Sequence, residues 1–109
     1  MSRATRRLKL QETLSGLTGV KKAYFQPPAS IQLEYPCIIF TYSNERILHA
    51  NNYTYKEEDE YEVTLITKEP LPDETMTELR ELPYTRFNRH FVNDNLHHFS
   101  YNMRLIERN

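Results

Sequence analysis

A chain of 109 residues accommodates one domain, and 39% hydrophobic with 27% charged residues is the composition of a folded globular protein rather than a disordered one. A formal net charge of −1 lacks the basic excess of a duplex-DNA binder. The single cysteine, Cys37, excludes an internal disulfide and fits a reducing compartment such as the cytoplasm.

Residues 5–17, TRRLKLQETLSGL, predict a helix. Leu10, Leu14 and Leu17 fall at i, i+4 and i+7, one stripe of a helical surface. Arg6, Arg7, Lys9, Gln11 and Glu12 take the remaining directions. Gly16 and Gly19 supply the stop. They are the only two glycines, which excludes a Gly-rich phosphate loop and a dinucleotide fingerprint.

Tyr24 and Phe25 predict a short strand. Pro27 and Pro28 then fix a corner and remove two amide donors. Residues 29–35 connect, with Ile31 and Leu33 turned inward. Pro36 opens a strand, where its missing N–H is tolerated. In CIIFTYS, Ile38, Phe40 and Tyr42 alternate with Cys37, Ile39 and Thr41. Apolar character on both faces marks a central, doubly covered strand.

Residues 37–68 predict one long hairpin with its turn at Asn51-Asn52. On the return strand Tyr61, Val63 and Leu65 share one face, and Glu58, Glu60, Glu62 and Thr64 the other. Tyr53, Tyr55, Glu57 and Asp59 carry the strand beyond the expected apolar partners. The distal half is therefore expected to project past the core.

Pro70 and Pro72 break the strand, and Asp73 is expected to cap a second helix over 73–82. Met76, Leu79 and Leu82 would face the core. Pro83 ends the helix. A second hairpin follows over 85–106, with its tip at Asn93-Asp94-Asn95. On its last strand Phe99, Tyr101, Met103 and Leu105 alternate with Ser100, Asn102 and Arg104. The order predicts an α+β domain: an antiparallel sheet with both helices on one side.

No residues are arranged for catalysis. There is no nucleophile elbow, and the carboxylates of KEEDEYE alternate between two faces. The histidines are His49, His90, His97 and His98, and adjacent His97 and His98 point to opposite faces of a strand. No CxxC or HxxxH spacing suggests a metal site, so neither metal nor cofactor is expected. No apolar run approaches a membrane span, and no secretory signal is expected at the basic N-terminus.

The charges are segregated. Arg3, Arg6 and Arg7 crowd the N-terminus, where they read either as a solvated helix end or as a patch for a basic-loving partner or DNA. Tyr53, Tyr55, Glu57, Glu58, Asp59 and Glu60 crowd the hairpin. They read either as a solvated edge or as a face for a subunit or partner.

Three stretches carry a resemblance: AYFQPPASIQLEYPCIIF, YEVTLITKEP and LPYTRFNRHFVNDNLHHFSYNMRL. Together they resemble the small neck proteins of long-tailed phages, the tail terminator, tail completion or minor capsid family. The most specific parts are Tyr24-Phe25-Gln26-Pro27-Pro28 with Tyr35-Pro36, and Phe87, Arg89, His90, Asn93, Asp94, Asn95 and Leu96. The resemblance covers nearly the whole chain.

It implies a non-catalytic virion protein, assembled in the host cytoplasm into a six-membered ring in the phage neck. The ring would cap the tail tube protein, end tail polymerisation and meet the head-completion or connector protein. DNA would pass through its lumen without sequence-specific binding. Tyr24, Phe25, Pro27, Pro28 and Pro36 would then form a structural corner. A head-closure adaptor in the same neck, or a small nucleic-acid-binding regulator, is the alternative.

Overall fold

In the computed structural model, which describes residues 2–50 and 53–108, the first helix α1 spans Arg3–Ser15. It starts earlier than its leucines suggest because the Ser2 hydroxyl accepts a hydrogen bond from the Thr5 amide at 3.1 Å. It ends earlier too, at Gly16, and Leu17 packs on the core from beyond the helix. Gly19, at φ 81°, is the left-handed position that turns the chain into the sheet.

The sheet has five strands: β1 (Lys22–Phe25), β2 (Cys37–Ala50), β3 (Tyr53–Thr67), β4 (Thr85–Asn93) and β5 (Leu96–Arg108). Their spatial order is β1-β2-β3-β5-β4. The expectation of a wholly antiparallel sheet is corrected at one edge. β1 pairs with β2 in parallel, Lys22 opposite Cys37 and Phe25 opposite Phe40. A parallel neighbour needs a long crossover, which residues 26–36 supply without a helix.

That crossover uses the proline corner. Gln26 sits at φ 42°; its amide donates to the Phe40 carbonyl, and its side-chain carbonyl accepts from the Tyr42 amide. Gln26 thus continues the ladder where β1 ends. Pro27 is half-buried, Pro28 exposed, and the Tyr35–Pro36 bond is cis. Tyr24 and Phe25 do not pack together at the corner, because successive strand residues point to opposite faces. Tyr24 lies under the crossover, and its hydroxyl accepts from the Glu34 amide. Phe25 lies on the helix side, 5.1 Å from the Phe40 ring. Leu33 turns inward as expected; Ile31 stays exposed.

The second helix α2 spans Asp73–Glu81. Asp73 is its first helical residue rather than its cap; Pro72 holds the cap position, and Asp73 and Glu74 face the positive helix end instead. Leu79 is fully buried, with Met76 and Leu82 packed beside it. The Thr75 hydroxyl donates to the Thr18 carbonyl, and Glu78 accepts from the Thr18 amide at 3.1 Å, tying α2 to the turn after α1.

Both helices cover one sheet face. Leu10, Leu14 and Leu79 meet Ala23, Ile38, Phe40, Tyr61, Val63, Leu65, Phe99, Tyr101 and Met103 in one cluster. Fully burying each of the larger side chains contributes roughly 1.5–3 kcal/mol. Tyr24, Cys37 and Ile66 form a smaller cluster on the other face, closed by Leu33, Tyr35, Ile39 and Leu96. The centre of β2 is therefore covered on both sides. The β4–β5 turn is tight, with Asp94 at φ 51° and Asn95 at φ 63°, the left-handed pair of a type I′ hairpin. The Asn51-Asn52 turn lies outside the described residues. The architecture is α+β, 51 × 28 × 22 Å in extent.

Candidate functional site

The long axis comes from the β2–β3 hairpin. β1 covers only the first part of β2, so the edge of β2 toward Ala50 has no neighbouring strand among the described residues. On its other side β3 is paired with β5 as far out as Lys56 opposite Arg108. The arm is thus three-stranded over residues 57–60 and two-stranded only near its tip. The projecting part is shorter than the sequence suggests.

A β-bulge shapes this arm. The register shifts between Tyr42 and Asn44, and the Ser43 hydroxyl donates to the Glu60 carbonyl at 3.0 Å. The extra residue brings Glu45 onto the same face as Tyr42, opposite Asp59. That face carries Tyr61, Asp59 and Glu57, and α1 lies over it.

Here the two charge clusters meet. Asp59 is fully buried. Arg6 Nη2 donates to Asp59 Oδ2 at 2.8 Å, and Arg3 Nε donates to Asp59 Oδ1 at 3.1 Å. Arg6 also pairs with Glu107 from β5 and lies 3.5 Å from Glu57. Arg3 reaches Glu45 at 3.2 Å. The Tyr42 hydroxyl lies 3.1 Å from Asp59 Oδ1 and 3.3 Å from Glu45 Oε2, and donates to either.

The titration of these groups follows from that packing. Burial alone would raise the Asp59 pKa, but hydrogen bonds from Arg6 and Arg3 more than offset it and hold the carboxyl below its ordinary value. Burial, with the Asp59 charge beside it, pushes the Tyr42 phenol up to about 12.

The expected basic patch is therefore not a free one. Arg6 is buried, Arg3 half-exposed and bonded, and Arg7 stacks over Phe25 at 4.5 Å. Nor is the acidic stretch uniformly open. Glu58, on the opposite face, is buried against Lys56 at 3.0 Å and Arg104 at 3.6 Å. Glu60 is half-exposed on that same face. Tyr53 is open at 77% exposure, and the Tyr55 side chain lies outside the described residues. The arm also exposes Ile47, which the sequence reading did not single out.

His90 and His97 stack with their ring nitrogens 3.0 Å apart. Among the described residues no group of three or more His, Cys, Asp or Glu side chains could hold a metal, and no helix is long and apolar enough to cross a membrane. Comparison with protein-family models and with curated protein sequences returned no match.

Proposed function

We propose that this chain is a structural ring subunit of a long-tailed phage neck, most specifically a tail terminator. The observation that carries the proposal is the arm. A two-stranded tip projects from a small core, the β2 edge along the arm has no neighbouring strand among the described residues, and the arm exposes Ile47 and Tyr53. An open strand edge with apolar side chains is a surface that pairs with another chain. The resemblance of the Tyr24–Pro28 corner and of the Phe87–Leu96 hairpin to neck proteins points the same way.

In this reading the core is a rigid body and the arm a connector. The Arg6–Asp59 contact fixes the arm's direction relative to α1. The arm reaches the next subunit or the adjoining ring, and the chain performs no chemistry. The ring caps the tail tube, stops its growth and offers its other face to the head. Labelling a tagged chain in intact particles tests this. The tag should mark the head–tail junction. A tag on the capsid surface, at the distal tail tip or absent from particles would refute it.

A further inference from the structure

Part of the positive charge left out of ion pairs lies on the sheet edge farthest from β1. Arg3 and Arg6 are engaged with carboxylates, whereas Arg80, Arg86 and Arg89 have no carboxylate within ion-pair distance among the described residues. β4 is the outermost strand and carries no acidic residue from Thr85 to Asn93. Arg86 stands opposite Asn102 and Arg89 opposite Ser100 across a register shift. Both therefore share the sheet face of Arg104, away from the helices.

At the start of β4 this edge is concave. Arg80 from α2, Arg86 from β4 and Arg104 from β5 line a cleft of about 640 Å³, with Tyr84 in its wall and Glu60 at its far side. Tyr84 is held at φ 53°, its carbonyl accepting from the Arg104 amide and its ring 5.6 Å from the Arg104 guanidinium. The ring is still 56% exposed. Further along, Phe87 is 45% exposed, and Arg89 lies 4.8 Å over Phe91. Phe87 stands opposite Tyr101 and packs on it, on the face away from Arg86 and Arg89, and Phe91 stacks on His98, so the open ring beside the arginines is that of Tyr84.

We propose that this edge binds the backbone of single-stranded nucleic acid. Guanidinium forks match phosphate oxygens, and the exposed Tyr84 ring in the cleft takes a base by stacking, without sequence readout. An acidic peptide would satisfy the arginines but leave the Tyr84 ring uncovered. The net charge of −1 does not oppose this, because it averages a closed ion network with an open cationic edge. The inference does not rest on the ring reading, and it moves the DNA-facing surface from Arg3, Arg6 and Arg7 to β4.

The test is fluorescence anisotropy of the full chain with a labelled oligothymidylate of about 20 nucleotides, from about 50 to 200 mM salt. Binding should weaken steeply with salt and should favour the single strand over a duplex of equal length. Arg86→Glu with Arg89→Glu should weaken it at least tenfold and flatten the salt dependence. Tyr84→Asn, which keeps a residue tolerant of the left-handed backbone, should weaken it about fivefold without changing the salt slope. Lys21→Ala with Lys22→Ala, at the other edge, should change little. Absence of binding at the lowest salt, equal loss in the Lys21 and Lys22 variant, or displacement of the oligonucleotide by polyglutamate as readily as by unlabelled DNA would overturn the proposal.

Discussion

Arg6 Nη2 and Asp59 Oδ2 lie 2.8 Å apart although 53 residues separate them in the chain. This contact joins the N-terminal helix to the base of the arm in the interior of the protein. A buried pair of this kind adds little net stability over an apolar pair of the same shape, but removing one partner strands the other charge. Asp59→Asn is therefore expected to destabilise the fold by about 3 kcal/mol, and Arg6→Met by a similar amount. Asp59→Leu combined with Arg6→Met should recover much of the loss. Urea denaturation of the three variants measures this; additive losses in the double variant would mean that the two groups do not interact.

The same contact sets an acid limit. Asp59 has a folded-state pKa below its ordinary value, so its contribution is fully present above about pH 3.9 and is lost as pH falls through the lower folded value. Wild-type stability should fall more steeply than that of Asp59→Asn as pH drops from about 5 to 2. Parallel curves in thermal scans across that range would contradict the assignment.

Cys37 is fully buried in the smaller cluster, and burial pushes its thiol up to about 11. Its reaction with a thiol reagent at neutral pH is expected to be slow and to follow unfolding of the protein. Rapid labelling of the native protein in a stopped-flow assay would show that the crossover over residues 26–36 opens readily.

The proline corner is expected to act on stability rather than on assembly. Replacing both Pro27 and Pro28 by Ala should cost about 1–2 kcal/mol through the freer unfolded chain. Calorimetry measures the cost, and complementation of a phage lacking the gene measures function. Intact stability with failed complementation would make the corner an interface instead.

The arm is best tested at its tip. Reversing Glu57, Glu58, Asp59 and Glu60 to Lys would also break buried pairs in the core, so loss of assembly there would have two causes. Ile47→Ser with Tyr53→Ser touches only exposed positions. It should leave the melting temperature within about 1–2 °C and abolish incorporation into particles. Normal incorporation would remove the arm from the interface.

Much of the fold was legible because its signals are local. Leucines at helical spacing, prolines before β2 and after β3, and the Asn-Asp-Asn turn mark their elements without tertiary help. The parallel β1–β2 pair was not legible, since four residues of strand carry no mark of their partner's direction. The Arg6–Asp59 contact left a trace that was not used. Arg6 precedes Leu10 and Leu14 on one helical stripe, and Asp59 is in phase with Tyr61, Val63 and Leu65. Each is a charge on an apolar face, and each charge on such a face needs a partner. The cationic edge of β4 was hidden for another reason: it emerges only once the N-terminal arginines are seen to be engaged.

The role proposed for this chain is to end tail growth. Electron microscopy of particles made by a phage lacking the gene tests it most directly. Over-long tails beside DNA-filled heads are the expected result. Tails of normal length beside heads that have lost their DNA would contradict it and assign the chain to head closure.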